Sequence, residues 1–429
     1  MKFSQFNTYI PYEGKIIAYN AYTNQYLLLE FLLYELIQSA QQYGIASLDA
    51  IHPSFYQALV DNGFVVEDNT NEIDKVSQLI DSVDKQEDRY ILIVNPTMNC
   101  NFKCWYCYET HIKDSKMDAT TLEKVSQHIK YVVENKPSLK EFIVSFFGGE
   151  PLLYYDKVVV PLLKYANQIT QKHGLNFQAD FTTNGFLIKP NMVDTFKELS
   201  VNHFQITLDG DKEHHDTIRF VSKKRGSYDD IVQNIILLAN NGLPVTVRIN
   251  YTAHNLDNLT SILEDLTLLT PEGKQNITIS LHKVWQETDK SLGTKVNTFI
   301  NLAKKAGFNT AQDILIDSVR NSCYADKNNH ATINYNGEVF KCTARDFKSG
   351  NKEGELHSDG SITWNDKFYS RMQIKLQNKP CLECAILPIC GGGCSQQAIE
   401  HIGVDYCVND FDENKKKNIV LQRFLATHL

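Results

Sequence analysis

The sequence predicts an α/β protein whose central part is a partial, TIM-like (β/α)6 barrel, with a small domain before it and a cysteine-rich domain after it. From Tyr90 to about Gly307, short β-branched runs alternate with amphipathic helical runs, as is typical of parallel βα units. The ten cysteines fall in two groups, three in one loop and seven in the C-terminal part of the chain. We therefore divide the chain into residues 1–85, 86–312 and 313–429.

The first segment has the pattern of a hairpin followed by small helices. Lys15–Asn20 and Gln25–Leu29 predict the hairpin, Phe31–Ile37 and Phe55–Val60 predict helices, and Phe64–Val66 predicts a returning strand. This order resembles a winged-helix module, and in particular the leader-peptide recognition domain of enzymes that modify ribosomally made peptides. There the leader adds a strand to an exposed sheet edge. The alternative is a structural cap on the barrel, and a DNA-reading domain is disfavoured because a basic face is lacking.

Six strands and five helices are predicted for the central segment. The carboxyl ends of such strands meet at one cavity, where α/β barrels carry their chemistry. The predicted strands are Tyr90–Val94, Glu141–Phe147, Phe177–Thr182, His203–Leu208, Val245–Tyr251 and Ile277–Val284, and the predicted helices lie near Asp118–Glu134, Asp156–Lys172, Lys189–Leu199, Tyr228–Asn241 and Leu256–Leu269.

Three cysteines, Cys100, Cys104 and Cys107, follow the first of these strands. A structural zinc site takes four ligands, and an iron-sulfur cube normally takes four cysteines, so three would leave one iron open. A scattered thiol group or a disulfide pair is the alternative. The spacing resembles the radical S-adenosylmethionine (SAM) superfamily. That resemblance implies a 4Fe-4S cluster whose open iron binds SAM and whose electron cleaves it to methionine and a 5′-deoxyadenosyl radical.

Motifs at the other strand ends extend the resemblance. Gly148-Gly149-Glu150-Pro151 follows the second strand, and His215-Asp216-Thr217-Ile218-Arg219 follows the fourth. Asn184-Gly185 and Asp209-Gly210 end the third and fourth strands and could be ordinary turns. Arg219 could form a surface ion pair, and Tyr106 could be a core residue. The resemblance implies SAM contacts from Gly148, Gly149, Glu150 and Pro151 at the amino group, Asn184 and Asp209 at the ribose, Thr207 and Arg219 at the carboxylate, and Tyr106 at the adenine.

The seven later cysteines resemble the SPASM extension of radical SAM enzymes, which holds two auxiliary 4Fe-4S clusters. The family pattern assigns Cys381, Cys384, Cys390 and Cys407 to the outer cluster and Cys323, Cys342 and Cys394 to the inner one. Since three cysteines leave the inner cluster one ligand short, we expect either a non-thiolate ligand, with Asp326 and His330 lying in the interval, or an open iron that could bind a substrate thiolate. A zinc ribbon is the alternative. Asn414–Leu429 predicts a solvated terminal helix.

Composition excludes several classes of function. Lys+Arg 43 against Asp+Glu 51 gives a formal charge of -8, without a basic tail, so nucleic acid is not expected as a partner. No apolar run is long enough to span a bilayer and no signal peptide is recognisable, so we expect a cytoplasmic protein without a membrane partner. In a reducing cytosol, clustered cysteines favour metal over disulfides.

The resemblance therefore implies a radical SAM/SPASM peptide maturase, which installs a thioether or carbon-carbon crosslink in a precursor peptide that carries a leader. Its cofactors would be SAM and three 4Fe-4S clusters, and its electron donor a flavodoxin or ferredoxin. The alternatives are an anaerobic sulfatase-maturating (formylglycine-generating) enzyme and a non-catalytic iron-sulfur electron carrier. Sulfatase maturases typically place an Asp where Thr343 follows Cys342 here.

Overall fold

The computed structural model of this protein describes residues 1–289, 291–311 and 317–428. The chain divides into two compact units. The first comprises Met1–Gln86 with the described parts of Ile314–Asn328 and Tyr369–Leu429, and the second comprises the described part of Glu87–Asp313 together with Asn329–Phe368. This partition differs from the three predicted segments, which remain a prediction, in that residues 329–368 pack with the barrel segment.

The N-terminal part of the first unit contains a three-stranded antiparallel sheet and four helices. The predicted hairpin is confirmed, and a third strand that the sequence analysis missed, Asn7–Tyr12, pairs with its first strand. The strands are β1 (Lys2–Phe3), β2 (Asn7–Tyr12), β3 (Lys15–Asn20), β4 (Gln25–Leu29) and β5 (Val65–Val66), and the helices are α1 (Phe31–Tyr43), α2 (Ala46–Ile51), α3 (Pro53–Asp61) and α4 (Glu72–Asp84). Strand β3 lies in the centre of the sheet, and β2 and β4 are its edges.

The second unit is built on one eleven-stranded sheet. Its strands are β6 (Arg89–Val94), β7 (Glu141–Phe146), β8 (Asn176–Thr183), β9 (Val201–Leu208), β12 (Val245–Tyr251), β13 (Ile277–Lys283), β14 (Asn309–Thr310), β15 (His330–Ile333), β16 (Glu338–Phe340), β17 (Gly354–Leu356) and β18 (Ile362–Trp364), and a separate hairpin pairs β10 (Phe220–Ser222) with β11 (Arg225–Gly226). The strand order is β14-β13-β12-β9-β8-β7-β6-β15-β16-β17-β18. All pairings from β14 to β15 are parallel, so the six predicted barrel strands are confirmed as one parallel set.

Helices connect the parallel strands. They are α5 (Ala119–Asn135), α6 (Val160–Lys172), α7 (Val193–Glu198), α8 (Lys212–Ile218), α9 (Tyr228–Asn240), α10 (Thr260–Asp265), α11 (Pro271–Gln275) and α12 (Gly293–Lys305). Local chemistry fixes their starts, as at α5, where the Asp118 carboxylate accepts the Thr121 N–H at 2.7 Å. Helices α8, α11 and α12 and the β10–β11 hairpin are not among the elements predicted from the sequence.

The sheet has an apolar face and a polar face. Along β12, Val245, Val247 and Ile249 are buried in the main hydrophobic core, whereas Thr246 and Arg248 alternate with them on the other face. The same alternation runs through β7, β8 and β9. The apolar face receives the helices, so we take the polar face as the lumen of the predicted partial barrel.

The C-terminal part of the chain adds five short or terminal helices: α13 (Asp366–Gln373), α14 (Lys379–Leu382), α15 (Leu387–Cys390), α16 (Ser395–Glu400) and α17 (Glu413–His428). The expectation of a solvated terminal helix is wrong. Val420 is fully buried and Phe424 is 7% exposed, and both lie in one core with Phe6 and Tyr19 of the first unit. The lysine run obscured this apolar face, because it occupies only the first turns of α17.

In the described part of the chain, no helix is both long enough and apolar enough to cross a bilayer.

We predict that Phe424→Ala lowers the free energy of unfolding by about 3–5 kcal/mol, because it leaves a cavity in this core. Chemical denaturation followed by circular dichroism measures the change. Phe31→Ala is the matched control, since Phe31 is 56% exposed and should cost little. Equal effects of the two changes would contradict the burial of α17.

Candidate active site

The three cysteines Cys100, Cys104 and Cys107 lie on the loop between β6 and α5, at the carboxyl end of the parallel sheet. This is where the sequence analysis placed them. Backbone hydrogen bonds fold the loop back on itself, with the Met117 N–H on the Pro96 carbonyl at 2.8 Å and the Ile112 N–H on the Met98 carbonyl at 3.0 Å. The thiols therefore sit on a shaped loop beside the other strand ends.

The thiols of this loop are partly buried, and burial disfavours their ionised, thiolate form. Burial raises the pKa of Cys100 to about 12 and the pKa of Cys107 to about 11, and it raises the pKa of Cys104 as well; the neighbouring Glu150 carboxylate adds to the effect at Cys100. Thiolates at this position need positive charge from what they bind. Iron supplies that charge, so the donor set fits an iron-sulfur cluster.

The Gly148-Gly149 turn brings its backbone against the cysteine loop. Gly148 and Gly149 have φ +76° and +50°, in the left-handed region. A side chain on Gly148 would meet the Asn95 side chain at 2.6 Å, and one on Gly149 would collide with the Asn99 carbonyl. The Glu150 N–H donates to that same Asn99 carbonyl at 2.9 Å. Only glycine permits this approach, which leaves the turn's peptide groups next to the cluster loop.

Glu150 is fully buried and joins two strand ends. Its Oε1 accepts hydrogen bonds from the Thr183 hydroxyl (2.7 Å) and the Leu152 N–H (3.0 Å), and its Oε2 accepts one from the Asn184 N–H (2.8 Å). The bond to Leu152 also caps the short 3-10 turn that starts at Pro151. One lone pair of Oε2 remains for a further donor, so a bound ammonium group could be accepted there without breaking the turn.

Tyr106, Asp209 and Arg219 form one buried network, which the sequence analysis predicted only as three separate contacts. The Arg219 Nε donates to Asp209 Oδ2 at 2.6 Å, its Nη2 donates to the Tyr106 hydroxyl at 2.8 Å, and that hydroxyl donates to Asp209 Oδ1. Asn250 donates to the Tyr106 hydroxyl at 3.0 Å. The ion pair at Arg219 is thus buried, with Arg219 8% exposed, and is not the surface pair considered as an alternative.

The charges in this network stabilise each other. Burial alone would raise the pKa of the Asp209 carboxyl, but the Arg219 guanidinium and His215 outweigh it and hold that pKa below its usual range. Burial likewise opposes the Arg219 charge, while Asp209 raises the pKa of Arg219 well above normal. Both groups therefore remain ionised at neutral pH. Two of the nitrogens of Arg219 are already engaged, which limits what it can offer a ligand carboxylate.

The His215-Asp216 dipeptide supports this network from behind. The Asp209 N–H donates to His215 Nδ1 at 3.2 Å, and His215 Nε2 faces the Ser227 hydroxyl at 3.1 Å. Burial lowers the pKa of His215 to about 4, so the ring is neutral and carries its proton on Nε2. Asp216 accepts the N–H groups of Ser227 and Tyr228 at the start of α9. This part of the predicted motif positions Asp209.

Asn184 and Thr207 complete the predicted set. The Asn184 amide donates to Asn101 Oδ1 at 2.8 Å and lies 3.9 Å from the Cys100 sulfur, so it is held against the cysteine loop. Thr207 lies on β9 in register with Arg248 of β12, on the lumen face. Both predicted residues therefore face the same region as the cysteines.

Two site residues were missed by the sequence analysis. Glu109 is partly buried beside the cysteines, where its Oε2 accepts the Gly149 N–H at 2.9 Å and burial raises its pKa to about 7. Asn250 joins the Tyr106–Asp209 pair from β12. In the sequence, only their polarity could have indicated these two residues. Glu109 is a carboxylate two residues after Cys107, and Asn250 is an amide between Ile249 and Tyr251.

Four of the later cysteines line one pocket in the first unit: Cys381, Cys384, Cys390 and Cys407. They are the four that the family pattern assigns to one cluster. Donors surround the sulfurs, with the Asn378 amide 2.9 Å from Cys381 and the Asn409 amide 3.8 Å from Cys390, and Lys416 lines the wall. Amide donors and a cation stabilise thiolates, so this cavity also fits a cluster.

The remaining predicted ligands are found in separate settings. Cys394 caps the start of α16, where its sulfur accepts the Gln397 N–H. Asp326 pairs with Lys375 at 3.0 Å and accepts the Ser395 N–H, and both ring nitrogens of His330 contact backbone carbonyls at 3.0 Å. Asp326 and His330 would have to leave these partners to serve as cluster ligands, which argues against the non-thiolate option. Among the described residues, no three His, Cys, Asp or Glu side chains surround a point where a single ion could bind.

A cysteine loop and a glycine turn at the carboxyl edge of a parallel half-barrel define a class of α/β enzyme that binds its cofactor at the strand ends. Residues 94–269 match the profile of the Radical SAM superfamily, which identifies this segment as the radical SAM domain of an enzyme. The match begins at the last residue of β6 and includes the cysteine loop, the glycine turn and the Asp209–Arg219 pair.

Among similar proteins, the radical SAM cyclopropyl synthase TigE of Paramaledivibacter caminithermalis is 24% identical over 367 residues, which cover 78% of this chain and 74% of that protein. A cysteine-type anaerobic sulfatase-maturating enzyme of Clostridium novyi is 30% identical over 161 residues, covering 34% of this chain and 40% of that protein. The fold is shared with AdoMet-bound anSMEcpe (TM-score 0.58, 15% identity, 79% of this chain and 95% of that chain) and with Streptococcus suis SuiB bound to S-adenosylmethionine (TM-score 0.55, 16% identity, 93% and 97%).

We predict that Gly149→Ala weakens SAM binding at least about tenfold, because the new methyl group would displace the Asn99 carbonyl and the cysteine loop with it. Calorimetric titration of the reconstituted protein measures the affinity. Gly174→Ala is the matched control, since Gly174 also has a positive φ but nothing lies within 4 Å of its added methyl group. If both variants bound SAM like the wild type, the close approach at Gly149 would have no role in the site.

Proposed function

We propose that this radical SAM enzyme is a cytoplasmic peptide maturase that installs an intrapeptide crosslink, a thioether or a carbon-carbon bond, in a leader-bearing precursor. The observation that carries the proposal is the buried Tyr106–Asp209–Arg219 network beside the cysteine loop, at the edge of the sheet where SAM would bind. It is supported by similarity to the cyclopropyl synthase TigE and by a fold shared with SuiB, which has been solved with its precursor peptide SuiA (TM-score 0.53, 17% identity).

Cys100, Cys104 and Cys107 would hold the cluster that binds SAM. When bound, cluster and SAM together supply an electron and a carbon radical able to remove a hydrogen atom from a peptide. Glu150 would accept the SAM ammonium group on its remaining Oε2 lone pair. Asp209, kept ionised by Arg219, would accept from the ribose hydroxyls, and Asn184 would hold the Cys100 side of the loop in place.

The seven later cysteines would handle the electron that remains after crosslinking. Cys381, Cys384, Cys390 and Cys407 would bind a fully ligated auxiliary cluster in their common cavity. Cys323, Cys342 and Cys394 would bind a second one with an open iron, since Asp326 and His330 are engaged elsewhere. A flavodoxin or ferredoxin would be the external electron donor.

The leader would bind at the free edge of β4. This edge strand has no partner strand on one side among the described residues. Leu28, Phe31 and Leu32, at the end of β4 and the first turn of α1, are 48%, 56% and 74% exposed. An unpaired edge next to an apolar patch suits an extended peptide, which gains backbone hydrogen bonds from the strand and side-chain contacts from the patch.

The sulfatase-maturase alternative is disfavoured at one position. Thr343 stands where such enzymes typically have an Asp, and the nearest following carboxylate, Asp346, is already engaged. It accepts the Thr110 N–H at 2.9 Å and the Thr110 hydroxyl at 2.6 Å. Burial would raise the pKa of Asp346, but these bonds and Lys348 keep it below normal, so it is a poor proton acceptor.

We predict that replacing Cys100, Cys104 and Cys107 together by Ala abolishes 5′-deoxyadenosine formation and leaves about two thirds of the iron, since two of three clusters remain. Anaerobic reconstitution, iron analysis and chromatography of the products measure this. The matched control replaces Cys381 and Cys384 by Ala, which should lower iron but spare uncoupled SAM cleavage. Wild-type protein that forms no 5′-deoxyadenosine above a reagent blank would favour the electron-carrier alternative.

Deleting residues 1–85 is a poor test of leader binding, because Phe6, Ile17 and Val76 lie in one core with Val420 and Phe424. We predict instead that Leu28→Lys combined with Leu32→Glu weakens binding of the leader at least about tenfold without changing uncoupled SAM cleavage. Fluorescence anisotropy of a labelled candidate leader peptide measures the affinity. Ile51→Glu, at a 64% exposed position on α2, is the control. Unchanged affinity in the double variant would reduce this segment to a structural cap.

A further inference from the structure

Arg248 occupies a row of polar residues on the lumen face of the partial barrel. It pairs in register with Thr207 of β9 on one side and with Ser280 of β13 on the other. Two residues further along these strands lie Asn250 and His282, which pair in the same way. This row is next to the Tyr106–Asp209–Arg219 network, since Asn250 donates to both Tyr106 and Asp209.

The guanidinium of Arg248 has no anionic partner among the residues that the structure describes. Its Nε donates to Asn250 Oδ1 at 3.2 Å, and it takes part in no ion pair. The nearest carboxylate of the network, Asp209, is bound by Arg219 at 2.6 Å. The Asp209 carboxylate therefore faces two guanidinium groups, those of Arg219 and Arg248.

The other neighbours add no negative charge. Burial, and then the Arg248 charge itself, lowers the pKa of His282 to about 4, so its imidazole is neutral and contacts the Ser280 hydroxyl at 2.9 Å. Burial lowers the pKa of Arg248, although nearby Tyr108 and Tyr106 oppose that effect. Among these neighbours, Arg248 therefore has no counterion of its own.

A partly buried cation without a counterion is costly, and a bound anion removes that cost. Guanidinium groups match carboxylates in a bidentate way, and the Ser280 hydroxyl can add a third hydrogen bond beside it. We propose that Arg248 is the carboxylate-binding residue of the barrel lumen. The carboxylate belongs to SAM or, if the proposed peptide-maturase function holds, to an acidic side chain of the peptide.

The two sources are distinguished with the full-length, reconstituted protein under anaerobic conditions. In the first arm, calorimetry compares S-adenosylhomocysteine, which carries the carboxylate, with 5′-methylthioadenosine, which lacks it. If the carboxylate is that of SAM, R248Q loses about tenfold or more in affinity for the first ligand only.

In the second arm, saturating S-adenosylhomocysteine is present, and the thermal midpoint is followed with N-acetylglutamate amide or N-acetylglutamine amide. If the carboxylate is that of the substrate, the acid raises the midpoint of the wild type and not of R248Q, and the amide changes neither. R248K keeps the positive charge but loses the bidentate geometry of the guanidinium group, so its response should be reduced but present. It replaces R248Q in the experiment if R248Q does not fold. R89Q, at the other end of the sheet, is the matched arginine control.

Equal responses of wild type and R248Q in both arms would overturn the proposal. The proposed function is checked separately, because 5′-deoxyadenosine formation by the wild type with reductant and SAM depends on neither arm.

Discussion

The site depends on one buried ion pair. Asp209 ends the fourth parallel strand, and Arg219 follows the helix after it, so the pair closes the α8 loop onto the strand end. Tyr106, on the loop that carries the cysteines, is hydrogen-bonded to both members of this pair. Because a buried charge that loses its partner is strongly destabilising, each member fixes the other two. The position of Cys104 and Cys107 thus follows from an interaction with a strand about a hundred residues away in the chain.

The residues expected to touch SAM also hold the protein together. Glu150 joins the glycine turn to the end of β8 through three hydrogen bonds, and His215 orients the Asp209 backbone through a neutral ring. Such double use preorganises the site, because the groups that would meet a ligand are already fixed by their neighbours. It also explains why these positions are buried and not open to solvent.

The sequence predicts the parallel strands well because each is a local β-branched run, and it predicts the site residues because they follow those strands directly. It fails where pairing is remote. Strand β15 pairs with β6, with His330 opposite Ile91, and no local pattern could indicate that a segment assigned to the cysteine-rich region extends the barrel sheet. The same holds for the hydrogen bond between Tyr106 and Arg219 and for the lack of a counterion at Arg248, because both depend on side chains that meet only after folding. The burial of Phe424 was missed because the charged first turns of α17 dominate its composition.

The shared core of the first unit also bears on how the chain folds during synthesis. Phe6, Ile10 and Ile17 leave the ribosome before the barrel segment, whereas Val420 and Phe424, which cover them, leave after it. One apolar face of strands β2 and β3 therefore stays exposed to solvent while the residues of the parallel sheet are translated. Nascent chains in that condition are prone to aggregate and depend on chaperones, so slow translation of the last part of the chain should affect this unit before it affects the parallel sheet.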